Sequence, residues 1–321
     1  MSNSKIQDGD GSAVALAKYS FWYDRGAVLF IGIAVGGVLG LSFNAEGKPF
    51  NFLFEDTEIA ASVTATTAPV KAAEALERSC IENFPVAPRV IAALRSNAPI
   101  KVGVFGDSFG DGIWGAALAE FEQNPDFQVF RFSKAATGFT TYNTSDRLAD
   151  ARLKTANQPV DVALISFGAN DAQAIMVDGQ VAPYMSEGWK KVIGGRALAF
   201  VQLLQNQGAA VAWVGLPGMR SPKFDAKAHS MNGFFHQLMC ANQVAFLNPA
   251  SATEGMNHRF SKDLVDSATG ISFVARADDG IHMTLLGYRF IARPLFDRIE
   301  GLRSGRPTSI NRAKTEKGAA I

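Results

Sequence analysis

Cysteine is scarce: Cys80 and Cys240 are the only two in 321 residues. Neither lies in a CxxC pair or in a Cys/His cluster with zinc-ligand spacing, so neither a disulfide framework nor a structural zinc site is expected. An excess of one charge is also missing, with 31 Lys plus Arg against 30 Asp plus Glu and a formal net charge of +1. Such a balance makes no basic field to capture phosphates, and nucleic acid is excluded as a partner. What the chain has is apolar substance: 47% of its residues are hydrophobic and 19% charged, the composition of a globular protein with one sizeable core.

The apolar residues concentrate first near the N-terminus. From Gly26 to Ala45 run 20 residues without a formal charge, most of them in GAVLFIGIAVGGVLGLSF. At about 1.5 Å per residue a helix of this length spans a ~30 Å hydrocarbon core. Five glycines, Gly26, Gly32, Gly36, Gly37 and Gly40, would weaken a soluble helix but are tolerated in a membrane. The run is longer than the ~7 to 15 residues of a signal-peptide core and no A-x-A site comes directly after it, which favours an uncleaved anchor. Lys5, Lys18 and Arg25 precede it and only Lys48 lies close behind it, so the expected topology is an N-terminus in the cytoplasm and a body facing the periplasm or exterior. Gly32, Gly36 and Gly40 repeat a GxxxG spacing that could pack two such helices into a homodimer.

The rest divides by pattern. Residues 1–25 form a cytoplasmic segment, 26–45 the anchor, 46–97 a tether and N-terminal helical region, 98–302 the main domain and 303–321 a polar, disordered tail. Thr67 and Pro69 open a helix that carries Cys80. Cys80 and Cys240 either pair in an oxidising compartment or remain buried thiols, since sequence provides no distance between them. From residue 98, strands at 100–105, 127–132, 160–167, 209–215 and 243–247 alternate with helices near 112–123, 187–207, 226–241 and 284–302. That alternation predicts a three-layer α/β sandwich of the flavodoxin-like kind, with a central parallel sheet of about five strands.

Ligands of such sheets bind beyond the carboxyl ends of the strands. After the first strand comes Gly106-Asp107-Ser108, which sets Ser108 on a tight turn before a helix, either as a capping residue or as a nucleophile awaiting a base. After the second strand stands Gly138, whose N–H a substrate can approach closely. After the third, Gly168-Ala169-Asn170-Asp171 offers the Asn170 amide to an oxyanion, or to an Asx turn. Before the last helix, Asp278-Asp279-Gly280-Ile281-His282 puts an aspartate three residues ahead of a histidine, where it can hold the imidazole and leave Nε2 free as base.

In this order the blocks resemble the SGNH hydrolases, also called the GDSL esterases, over about residues 98 to 302. ISFGAND, SEGWKK, AWVGLPGMR and DDGIHMTLLGYR are similar to a bacterial branch of membrane-anchored or exported proteins whose domain has no assigned function. The resemblance implies Ser108 as nucleophile, His282 as base and then acid, and Asp279 as its orienter. It implies an oxyanion hole made of the N–H groups of Ser108 and Gly138 and the side chain of Asn170. Phe109 stands where leucine is common after the serine, and the block around Gly138 is loosely matched. Asp107, Asp171 and Arg220 are candidate substrate contacts, and Trp189 and Trp213 could stack on sugar rings or belong to the core.

The reaction implied is ester hydrolysis through an acyl-enzyme, needing no metal or organic cofactor. Location and resemblance together point to short acyl groups, above all O-acetyl, on a periplasmic or cell-envelope glycan or another small ester. Two readings stand beside it: a glycan-binding or assembly protein that keeps the fold without hydrolysis, and an O-acyltransferase that passes the acyl group to a sugar. A lipase or thioesterase is a third, and it would need an apolar acyl pocket.

Overall fold

A computed structural model describes Cys80, Phe84 and residues 86–141, 146–254, 260–266 and 269–304. The anchor expected at 26–45, the segments on either side of it, almost all of the helix expected from Thr67 and the tail beyond Ser304 lie outside the described residues. Among the described residues no helix is long and apolar enough to cross a membrane.

Five strands form the central sheet: β1 (Ile100–Gly106), β2 (Phe127–Arg131), β3 (Val162–Ser166) and, beyond the hairpin of β4 (Ile175–Val177) and β5 (Gln180–Ala182), β6 (Ala210–Val214) and β7 (Ala245–Leu247). All pair in parallel in the order β2-β1-β3-β6-β7, the flavodoxin-like arrangement expected from the sequence. The chain moves one way from β1 to β2 and the other way thereafter. Right-handed crossovers then put the helix after β1 on one face and those after β2, β3 and β6 on the other. Every residue of β3 (VALIS) and β6 (AVAWV) is buried, as expected of central strands covered on both sides.

The helices begin where short polar side chains satisfy their first N–H groups. In chain order they are α1 (Pro88–Arg95), α2 (Ser108–Phe121), α3 (Arg147–Asn157), α4 (Glu187–Asn206), α5 (Pro222–Ala241) and α6 (Leu285–Ser304). Asp107 accepts from Phe109 N at 2.8 Å, Asp146 from Ala149 N, Ser186 from Trp189 N and Ser221 from Phe224 N. Both α2 and α5 start four residues earlier than apolar periodicity suggests, because Asp107 and Ser221-Pro222 set the start. Helices α2 and α6 pack against each other. Helix α3 is absent from the sequence expectation: its segment is polar, and only Arg147, Ala151 and Thr155 turn inward, one residue per turn.

Two hairpins complete the domain, β4 (Ile175–Val177) with β5 (Gln180–Ala182), and β8 (Asp263–Val265) with β9 (Ser272–Val274). Asp178-Gly179 closes the first with φ of 49° and 76°, the Asp-Gly pairing that a two-residue hairpin turn favours. Packing begins upstream of residue 98, since Cys80, Phe84, Ala87, Val90 and Ala93 belong to the same core as the sheet. Cys80 is joined to Cys240 at the end of α5 by a disulfide with Cα atoms 5.4 Å apart. Trp189 and Trp213 are fully buried, so they are core residues and offer no sugar-stacking surface.

Candidate active site

The sheet changes direction between β1 and β3, and the crevice at their carboxyl ends is where the expected blocks meet. Ser108 is the first residue of α2, and its Oγ lies 2.8 Å from His282 Nε2. His282 Nδ1 lies 2.6 Å from Asp279 Oδ2. The three residues are thus linked serine to imidazole to carboxylate, although 174 positions separate the serine from the histidine. The site is open to water, with the His282 and Asp279 side chains 36% and 45% exposed.

The loop that presents the histidine is tied down by Asp279 itself. Its Oδ1 accepts from Ile281 N at 2.8 Å and His282 N at 2.9 Å, which leaves Oδ2 for the ring. Partial burial pushes the Asp279 carboxyl up, but the bonds from the His282 ring and from the two N–H groups outweigh it and bring its pKa down to about 2. It therefore stays ionised and fixes the proton of His282 on Nδ1, leaving Nε2 to accept from Ser108. Gly280 turns the loop at φ 71°, and a Cβ there would come 2.6 Å from Arg220 Cβ. Phe109 is buried and stacks under the imidazole with centroids 5.3 Å apart, so the residue that replaces the common leucine supports the histidine.

On the other side of Ser108 stand the oxyanion candidates. Neither Ser108 N nor Gly138 N has an acceptor among the described residues. Asn170 sits in the 3₁₀ turn Ala169–Asp171 after β3, with Nδ2 2.9 Å from Thr137 O and 3.2 Å from Asp107 Oδ2. Thr137 and Thr140 are site residues that the sequence reading overlooked. Thr140 donates to Asp171 Oδ1 through both N and Oγ1, each at 2.8 Å. Asp171 thereby pins the loop that carries Gly138, and a Cβ on Gly138 would lie 2.3 Å from that same Oδ1. Nothing short of the fold shows these threonines, whose only signal is their place beside the glycine.

Two of the expected substrate contacts are corrected. Asp107 and Asp171 are both fully buried and engaged by the chain itself, so they lie beneath the site, out of a substrate's reach. Burial raises both pKa values: Asp107 goes up to about 7, helped by the charge of Asp171, and its bonds from backbone N–H groups only partly offset the rise. Arg220 is exposed, but it leans on the loop that carries His282, its N donating to Gly280 O and its Nη1 to Asp278 O at 2.8 Å. Away from the site, Cys80, Cys240 and His236 gather their ligand atoms within 4.8 Å of one another, but the two sulfurs are bonded to each other.

The family model described as "Protein of unknown function (DUF459)" matches residues 101–298. No curated protein matches the chain at a significant level. Among solved structures, a GDSL-like lipase from Bacteroides thetaiotaomicron is 16% identical with a TM-score of 0.45, the match covering 70% of this chain and 97% of that one. The periplasmic domain of a lipopolysaccharide acetyltransferase from Salmonella ser. Paratyphi A is 13% identical with a TM-score of 0.43, covering 74% and 98%. A catalytic mutant of an acetylxylan esterase from Geobacillus stearothermophilus is 12% identical with a TM-score of 0.43, covering 62% and 94%. The family model covers more than half of the chain, and the protein belongs to the DUF459 family.

Proposed function

We propose that the protein is a serine esterase of the SGNH type that removes short ester-linked acyl groups, above all O-acetyl, from a cell-envelope glycan. One observation carries the reading: the unbroken Ser108–His282–Asp279 chain of hydrogen bonds at 2.8 and 2.6 Å, beside the unengaged N–H groups of Ser108, at the N-terminus of α2, and of Gly138, in the loop after β2. Ser108 Oγ attacks the ester carbonyl and forms the new C–O bond while His282 Nε2 takes its proton. The N–H groups of Ser108 and Gly138 and the Asn170 amide stabilise the oxyanion. The C–O bond to the alcohol then breaks, and His282 returns the proton to the departing oxygen. Water, activated by the same imidazole, repeats the sequence and frees the acid. A sugar hydroxyl in place of water would make the same groups an acyltransferase.

In this reading residues 26–45 anchor the chain in a bacterial inner membrane and hold the domain in the periplasm, and the GxxxG-bearing helix can pair two copies. The Cys80–Cys240 disulfide supports an oxidising compartment. The test is hydrolysis of p-nitrophenyl acetate and p-nitrophenyl octanoate by the full-length protein, followed by acetate release from acetylated glycans. Acetate preference that is lost in Ser108→Ala supports the proposal. Octanoate preference would replace it with a lipase or thioesterase, and a competent but unreactive site would leave the non-hydrolytic reading.

A further inference from the structure

The amide of Asn170 has two hydrogens, and in the resting protein both are engaged. Thr137 O and Asp107 Oδ2 are its neighbours at 2.9 and 3.2 Å. Both act as acceptors, so the amide must turn its NH2 toward them and cannot be flipped. An oxyanion is a third acceptor for two hydrogens. One existing bond must yield, and the longer one is that to Asp107.

Asp107 is well placed to control the exchange. Its Oδ1 is fixed by Phe109 N at 2.8 Å, so the carboxyl cannot swing away with the amide. It is fully buried immediately before Ser108. The titratable groups that face it are Asp171 from the 3₁₀ turn and Tyr288 from α6, with His282 across Ser108. Among the described residues no lysine or arginine pairs with it. An ionised Asp107 would therefore retain the Asn170 hydrogen and oppose a second negative charge growing beside it.

We propose that Asp107 is a positioning residue for the oxyanion donor: it holds the second hydrogen of Asn170 in the resting protein and yields it to the reacting oxygen when its own carboxyl is neutral. This deepens the esterase reading and rests on it. With Asp107 titrating at about 7, turnover falls on the alkaline side to a lower plateau, and the fall is at most the worth of one oxyanion donor, about 10²–10³-fold in kcat.

The experiment has two arms on the full-length protein. In the first, kcat and KM for p-nitrophenyl acetate are measured against pH for the wild type and Asp107→Asn. An alkaline fall of at least tenfold in wild-type kcat, absent from the variant and not mirrored in KM, is expected. A fall that persists in Asp107→Asn, or no fall in the wild type, overturns the proposal. The second arm tracks the side-chain amide resonance of Asn170 in the wild type by NMR, which requires neither turnover nor a variant that folds. A shift with a midpoint near 7 is expected, and a flat response overturns the coupling. A titrating amide in a protein without esterase activity would instead sink the proposed reaction and leave the coupling standing.

Discussion

Replacing Asp279 by asparagine tests the site at its most specific point. In the wild type Oδ1 accepts the N–H groups of Ile281 and His282, and Oδ2 takes the ring at Nδ1. An asparagine oxygen can keep both backbone bonds, so the loop should hold and the unfolding free energy should change by less than about 1 kcal/mol. Its NH2 then faces Nδ1 across 2.6 Å and has to donate, which drives the ring proton to Nε2. There the ring donates to Ser108 Oγ at 2.8 Å where it should accept. A wrong tautomer of this kind costs about 10⁴ in kcat, or about 5 kcal/mol of transition-state stabilisation. Asp279→Ala should match that loss of activity but also cost about 1–2 kcal/mol of stability, because the two backbone bonds go too. The assay is kcat on p-nitrophenyl acetate alongside urea unfolding of the three proteins. An asparagine variant that keeps a tenth of wild-type kcat, or that unfolds as readily as the alanine variant, would refute this reasoning.

The same geometry makes three further outcomes testable. Gly138→Ala puts a Cβ 2.3 Å from Asp171 Oδ1, so it should lower both the melting temperature and kcat, whereas alanine at Gly179, where a Cβ meets nothing within 4 Å, should leave kcat unchanged. The Cys80–Cys240 bond closes 160 residues of chain, for which the chain-entropy model gives about 5 kcal/mol. Reduction should therefore lower the urea midpoint strongly, and a thiol titration that finds two free cysteines in the unreduced protein would contradict the pairing. Native Asp107 keeps its proton up to about pH 7 while the unfolded chain releases it near 3.8, so the folded state binds more protons in between and this group's contribution to stability falls as pH rises across that window. Urea midpoints at pH 5 and 8 should show the decline in the wild type and a smaller one in Asp107→Asn.

Much of the site was legible because its chemistry sits at strand ends. Buried parallel strands such as VALIS and AVAWV announce themselves as apolar runs, and the residues just beyond each run are then the place to look for a site. Ser108 and Asn170 came to light in that way, and His282 through the aspartate three residues ahead of it before the last helix. What sequence could not show is what depends on distance. Asp107 and Asp171 look like accessible acids beside the motif, and only the fold buries them. The same holds for Thr140, whose place under Gly138 depends on a contact 31 positions away, and for the cysteines, 160 positions apart. Helix α3 escaped because one small buried face per turn is too little apolar signal in a polar segment.

The central claim is that Ser108 is a nucleophile made reactive by His282. Incubating the full-length protein with a fluorophosphonate probe and mapping the modified residue by mass spectrometry tests it without knowledge of the substrate. The account predicts one adduct, on Ser108, formed rapidly in the wild type, at least a hundredfold more slowly in His282→Ala and not at all in Ser108→Ala. Labelling of another residue, or a wild-type rate no faster than that of His282→Ala, would contradict it.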